Sequence, residues 1–157
     1  WQTAFDPLLR PGARNYWKSD DFKKLDDGLI RVVLDAIDTL PSDDCEVFIA
    51  NLGAAVNRVA PDTTAYPHRD IEFIMNVHTR WNDPKQDAPC IAWARKLFDA
   101  TERFATGGVY VNFMPDDETQ RVENGAYDRN YARLAKLKAK YDPGNLFRMN
   151  QNIKPAN

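Results

Sequence analysis

Asp70-Ile71-Glu72-Phe73-Ile74-Met75-Asn76-Val77-His78-Thr79-Arg80 alternates along its whole length. In an extended chain successive side chains point to opposite faces. Ile71, Phe73, Met75, Val77 and Thr79 therefore share one face, and Glu72, Ile74, Asn76 and His78 share the other. The first set belongs to a core. The second sets an amide and an imidazole on a face that needs a polar neighbour, either solvent or a site.

The flanking sequence builds outward from this strand. Trp81-Asn82-Asp83-Pro84 reads as a turn. A helix over about 87–105 points Ile91, Ala94, Leu97, Phe98 and Phe104 inward, and Gly107-Gly108 ends it. Residues 109–113 (Val-Tyr-Val-Asn-Phe) read as a further strand, with Tyr110 and Asn112 on one side. An acidic, polar connection over 116–126 leads to a last helix over about 128–141, which Asp142-Pro143-Gly144 stops. Upstream, residues 45–51 are mostly apolar and read as a central strand. Before them Phe22, Leu25, Leu29, Val32, Val33, Ala36, Ile37 and Leu40 repeat at helical spacing. Ser19, Asp20 or Asp21 would cap that helix and Pro41 would end it. Residues 14–18 are aromatic-rich and read as a short first strand. The order β-α-β, β-α-β, then helix predicts an α+β fold: a ferredoxin-like βαββαβ arrangement plus a C-terminal helix. Helices would cover one face of its antiparallel sheet and leave the other face free.

Composition bounds the partners. The 157 residues carry 21 Lys+Arg against 23 Asp+Glu, a net charge of −2. Residues 127–157 hold seven basic side chains and two acidic ones, but these lie in a helical pattern with apolar partners, as a solvated helix face does. With no basic-aromatic strand motif, nucleic acid is not an expected partner. No apolar run approaches ~18 residues, so no membrane span is expected. Cys45 and Cys90 are too few for a disulfide framework and read as small buried hydrophobes. Only His68 and His78 could join a zinc site, so no metal is expected. Ser19 and Ser42 are the only serines, which disfavours a Ser-His-Asp hydrolase. The sequence starts at Trp1 rather than Met, as a processed or truncated chain would.

Four segments exceed what composition explains: Arg14-Asn15-Tyr16-Trp17-Lys18-Ser19, Thr64-Ala65-Tyr66-Pro67-His68-Arg69, Gly107-Gly108-Val109-Tyr110-Val111-Asn112-Phe113, and the C-terminal run. That run holds Asn130-Tyr131-Ala132-Arg133-Leu134, then Lys138-Ala139-Lys140-Tyr141-Asp142-Pro143, then Asn145-Leu146-Phe147 and Asn150-Gln151-Asn152-Ile153. It resembles the C-terminal signature of the berberine-bridge-enzyme-like FAD-linked oxidoreductases. The other three segments follow in the order and spacing of that family's substrate domain, so the resemblance covers essentially the whole chain.

The resemblance implies a flavoenzyme that oxidises a small organic substrate by hydride transfer to FAD, with the sheet face away from the helices roofing the flavin. It implies a substrate domain over 1–126 and a helix and tail over 127–157 that return to an N-terminal FAD-binding domain. That domain is absent here, so the chain is expected to be inactive alone. Tyr110 and Asn112 match the family's Tyr-x-Asn beside the flavin, and Asn150, Gln151 and Asn152 match the tail motif that approaches it. Trp17, Asn51, Glu72, Ile74, Asn76 and His78 would line the substrate side. Pro67-His68-Arg69 matches the family's Pro-His-Arg and is read as structural.

Two positions depart from the family pattern. Phe113 stands where several relatives carry a tyrosine base, and Asn76 where several carry Glu or Gln. Neither side chain here accepts a proton at neutral pH. The base candidates that remain are Tyr110, Glu72 and His78, or a group outside this chain. The alternative reading is a stand-alone ferredoxin-like domain that binds a small molecule or forms a homodimer through its exposed sheet face.

Overall fold

A computed structural model describes Thr3 and residues 11–157. Three antiparallel strands form the sheet: β1 (Arg14–Phe22), β2 (Glu46–Asn51) and β3 (Phe73–Trp81), in the order β1-β3-β2. The register pairs Trp17 with His78, Ser19 with Asn76 and Asp21 with Ile74 on one side, and Glu46 with His78 and Phe48 with Asn76 on the other. The alternation read at 70–80 is thus the central strand. The α+β class holds.

Helices α1 (Asp27–Ile37) and α2 (Asp87–Thr101) cover one face. Between them and the sheet lies a core of Phe22, Leu29, Val33, Met75, Val77, Ala94 and Leu97. Each of the larger side chains contributes roughly 1.5–3 kcal/mol on leaving water. Cys45 and Cys90 are free and buried, as expected of small hydrophobes. A third helix, α3 (Tyr131–Tyr141), follows short helical turns.

Four expectations are corrected. The segment 109–113 is not a strand. Asp21 N–H donates to Gly108 O (3.1 Å) and Thr106 N–H to Asp21 O (2.9 Å), so residues 106–108 start along the outer edge of β1, where a fourth strand would run. Val109 N–H then donates to Gly125 O, and Val111–Phe113 turns into a 3₁₀ helix closed by Phe113 N–H to Tyr110 O. The βαββαβ order stops one strand short. Second, β2 is an edge strand rather than the central one, with Phe48 and Ile49 exposed.

Third, Ser19, Asp20 and Asp21 do not cap α1 but continue β1, all buried. The cap is Asp26, whose carboxylate accepts from Gly28 N–H at 2.9 Å and so satisfies a free donor of the first turn. Fourth, the connection over 116–126 contains a 3₁₀ turn (Asp116–Glu118) and a π-helical turn (Val122–Tyr127).

That last segment clasps the edge of β1. Lys18 Nζ donates to Glu118, and Arg121 donates to Asp20 Oδ1 (2.7 Å), Ser19 O (3.1 Å) and Glu118 Oε2 (3.2 Å). The Phe98 ring lies 3.9 Å from Lys18 Nζ and 5.2 Å from the Arg121 guanidinium. Buried charges persist only when paired in this way.

Candidate functional site

While the clasp itself grips Lys18 and Asp20 on the parity of the helix-covered face, the preceding residues 110–113 fold over the sheet face that α1 and α2 leave uncovered. That face is therefore not open: Ile74, Asn76 and His78 are all under 5% exposed. A ring cluster closes it. Trp17 meets His78 (centroids 4.3 Å) and Phe113 (5.6 Å), Phe113 meets Phe48 (6.2 Å) and Tyr110 (5.2 Å), and Tyr110 meets Tyr66 edge-on (6.1 Å). Val109, Met114, Val122 and Ala126 form a second apolar cluster behind these rings.

Beneath the rings polar atoms are buried without partners. Trp17 Nε1, Ser19 Oγ, Asn76 Oδ1 and His78 Nε2 all lack a hydrogen bond. Strand pairing makes them neighbours, since Trp17 sits opposite His78 and Ser19 opposite Asn76. His78 Nδ1 is taken by Glu46 Oε1 at 3.1 Å. With Nδ1–H donating, the neutral ring presents a bare lone pair at Nε2. The group offers an indole donor, a hydroxyl and two acceptors. Unpaired buried polar atoms cost about 1–3 kcal/mol each, so such a row marks a place where a ligand or water completes the bonding.

Trp17, Ile74, Asn76 and His78 thus come together as the alternation predicts. Asn51 and Glu72 do not join them. Asn51 is exposed at the end of β2 and pairs with Phe73, on the parity of the helix-covered face. Glu72 is exposed just before β3, where its backbone bonds Phe22 and Leu52. Tyr110 is half-buried, and its hydroxyl accepts from Asn112 Nδ2 at 2.7 Å. Asn112 lines a cleft of about 540 Å³ together with Trp17. It also lines one of about 390 Å³ together with Asn150 and Gln151. Gln151 Nε2 donates to Met114 O (3.1 Å), while Gln151 Oε1 and Asn152 Oδ1 are buried without partners. Asn150 takes a left-handed backbone (φ 58°), which asparagine tolerates and which turns the tail into this cleft.

His68 Nε2 donates to Gly125 O at 2.5 Å, and Arg69 donates to Val56 O and Thr64 Oγ1, so both brace the chain. Burial holds the His68 ring below its usual range and therefore neutral. Two residues of this face escaped the sequence reading. Asp21 is fully buried with both oxygens unpartnered, and burial together with the adjacent Asp20 pushes its pKa up to about 7. The Tyr66 hydroxyl is buried and unpartnered, and burial and the Asp21 charge raise it. The one sequence signal was a pair of acids directly before Phe22 at the end of an aromatic strand. Among the described residues no group of three or more His, Cys, Asp or Glu could hold a metal ion, and no helix is long and apolar enough to cross a membrane.

Residues 109–154 match the family model described as "Berberine and berberine like". An uncharacterized FAD-linked oxidoreductase of Bacillus subtilis is 33% identical over 133 residues, covering 85% of this chain and 29% of that protein. Aclacinomycin-N/aclacinomycin-A oxidase of Streptomyces galilaeus is 33% identical over 132 residues, covering 70% of this chain and 23% of the oxidase. Among solved structures, a glycopeptide hexose oxidase complexed with teicoplanin superposes with a TM-score of 0.80 at 28% identity, over 92% of this chain and 33% of the oxidase. Berberine bridge enzyme-like protein 28 of Arabidopsis thaliana shares the fold, with a TM-score of 0.84 at 17% identity over 94% of this chain and 35% of its own. The chain thus spans about a third or less of the length of the proteins it matches.

Proposed function

The chain belongs with the berberine-like FAD-linked oxidoreductases, and from that premise we propose that it supplies the substrate wall of an FAD-dependent oxidation of a small organic molecule. One observation carries the reading. Trp17 Nε1, Ser19 Oγ, Asn76 Oδ1 and His78 Nε2 are buried side by side with no partner within the chain. A hydroxyl or amine supplies the missing bonds, and the Trp17, Phe113 and Tyr110 rings supply apolar contact for its carbon skeleton.

The tail fits the flavin. Asn112, Asn150 and Gln151 line one cleft, and Gln151 Oε1 and Asn152 Oδ1 lack partners. Uncharged amides of this kind hydrogen-bond the polar edge of an isoalloxazine ring. When bound, the flavin supplies a two-electron acceptor for a hydride from substrate carbon. The side chains of this face orient the substrate and exclude water.

Residues 1–126 then form a substrate domain, and 127–157 return to a flavin-binding domain. Tyr141, Leu146, Phe147 and Met149 are each at least 75% exposed. A patch so apolar favours a protein partner, and that domain is the partner we assign to it. Without it the chain neither holds FAD tightly nor turns over.

The test uses the flavin-loaded protein containing this chain. Asn76→Ala removes one acceptor of about 1 kcal/mol and should slow anaerobic flavin reduction roughly fivefold. Unchanged reduction kinetics and substrate affinity in Asn76→Ala would remove this face from the site.

A further inference from the structure

Oxidising an alcohol or amine to a carbonyl or imine removes a proton from oxygen or nitrogen as well as a hydride from carbon. On the reading that this face is the substrate wall, we infer that His78 Nε2 accepts that proton and that Glu46 positions it.

The strands set the arrangement. Trp17, His78 and Glu46 form one rung across all three strands, and Ser19, Asn76 and Phe48 form the next. The imidazole is buried, while the Glu46 side chain at the edge of the sheet is 60% exposed. Glu46 Oε1 lies 3.1 Å from His78 Nδ1. A carboxylate oxygen only accepts, so this bond places the ring proton on Nδ1 and leaves a lone pair on Nε2. Among the described residues no group donates to Nε2. Even the Trp17 indole, with its ring centroid 4.3 Å from the imidazole, leaves its Nε1–H unused. The acceptor is thus oriented from behind and bare in front, as a base for a substrate hydroxyl or amine must be.

The other polar groups are less well placed. The Asn76 amide takes up no proton at neutral pH, and the Phe113 ring has no acceptor. The Tyr110 oxygen already accepts from Asn112 Nδ2 at 2.7 Å. Burial keeps the Tyr66 hydroxyl protonated, and Glu72 is exposed ahead of β3. Asp21 lies one rung beyond Ser19 and faces elsewhere: a Cβ on Gly108 would stand 2.8 Å from its Oδ2 and 2.9 Å from His68 Nδ1. His78, by contrast, lies against Trp17, which lines the cleft of about 540 Å³. A substrate in that cleft reaches Nε2 by displacing the indole.

In the reaction the substrate O–H or N–H bond breaks as its proton bonds to Nε2. The hydrogen on the adjacent carbon leaves with its electron pair to the flavin, the two-electron acceptor, and the C=O or C=N bond forms. His78 becomes an imidazolium, stabilised by the Glu46 carboxylate across the Nδ1–H bond. It returns the Nε2 proton to solvent after the product leaves. His78 is the catalytic residue and Glu46 the positioning residue.

Nitrogen NMR of the flavin-loaded protein, labelled at histidine, reads the tautomer without turnover. The His78 signals, identified by their loss in His78→Gln, should report a proton on Nδ1 and a bare Nε2 at pH 8. Glu46→Ala should let the proton move to Nε2. A proton on Nε2 in the parent protein overturns the assignment. Single-turnover flavin reduction by D-glucose or benzyl alcohol reads the chemistry. His78→Ala should slow it by about 10²-fold or more, far beyond any change in the probe's dissociation constant. Glu46→Ala should slow it by roughly fivefold or more, the upper value of a largely exposed pair. Added imidazole should restore the rate of His78→Ala, and triazole, a ring of the same size and much weaker basicity, should not. Equal rescue by both rings, no rescue by imidazole, or an unchanged rate in His78→Ala overturns the base. The substrate-wall reading still stands in those cases if Asn76→Ala slows reduction. Where His78→Ala does not fold and load flavin, the parent's tautomer and the Glu46→Ala rate decide. A parent protein whose bound flavin neither probe reduces counts against both readings.

Discussion

Asp21→Asn probes the stability of the sheet's second face. The carboxyl is fully buried, and its pKa rises from 3.8 to about 7, chiefly through burial and secondarily through Asp20. A rise of roughly three units, at about 1.4 kcal/mol per unit, separates the two protonation states by on the order of 4 kcal/mol. Well below pH 3.8 the group is neutral in both the folded and the unfolded chain. As pH rises, the unfolded chain ionises first while the native carboxyl holds its proton. The native state therefore loses stability steadily until both forms are ionised above about pH 7. An amide of the same shape never ionises. Asp21→Asn should be near neutral in effect at pH 4 and should stabilise by up to about 4 kcal/mol at pH 8. Urea unfolding followed by tryptophan fluorescence at the two pH values measures the difference, with the slope against urea reporting whether the same surface unfolds. A stability difference that does not grow with pH, or a variant less stable at pH 8, would refute the buried-charge argument.

Two other substitutions test the packing along the edge of β1. Glu118→Ala strands Lys18 and takes one carboxylate from Arg121, both largely buried; the urea midpoint should fall by the equivalent of about 3–5 kcal/mol. A loss below about 1 kcal/mol, the value of a solvent-exposed pair, would mean that the clasp is not desolvated. Gly108→Ala forces a methyl group to within 2.8 Å of Asp21 Oδ2. It should cost roughly 1–3 kcal/mol by overpacking, seen as a lower melting temperature. An unchanged melting temperature would separate Gly108 from Asp21 and His68.

The central strand was legible because its environment is symmetric. β3 has a neighbour on each side, so period-2 alternation is the whole of its local information, and a slip of one residue would expose Met75 and Val77. The edges were not legible in the same way. Residues 45–51 and 109–113 have the composition of strands, yet the first lies at an edge and the second turns away after 106–108 bond to Asp21. Composition reports that a segment suits a pleated, half-buried surface. It does not report whether a backbone partner is left beside it.

The same distinction separates the site residues that were read correctly from those that were missed. Trp17, Asn76 and His78 meet because cross-strand register follows from alternation on two strands. Asn51 fails by parity, since one residue along β2 reverses the face. Asp20 and Asp21 carry helix-capping chemistry just ahead of a helical apolar stripe, and local rules assign them to a helix start. What overrides those rules lies about eighty to a hundred residues away. Arg121 neutralises Asp20, while Thr106 and Gly108 pair the Asp21 backbone. No local signal carries those partners. A carboxylate with distant satisfaction for its backbone and none for its side chain is costly to keep. Structural need alone explains Asp20, which has its arginine. It does not explain Asp21, which has both oxygens bare. A position that breaks its local preference without a compensating bond is where function, rather than folding, is expected to have set the residue.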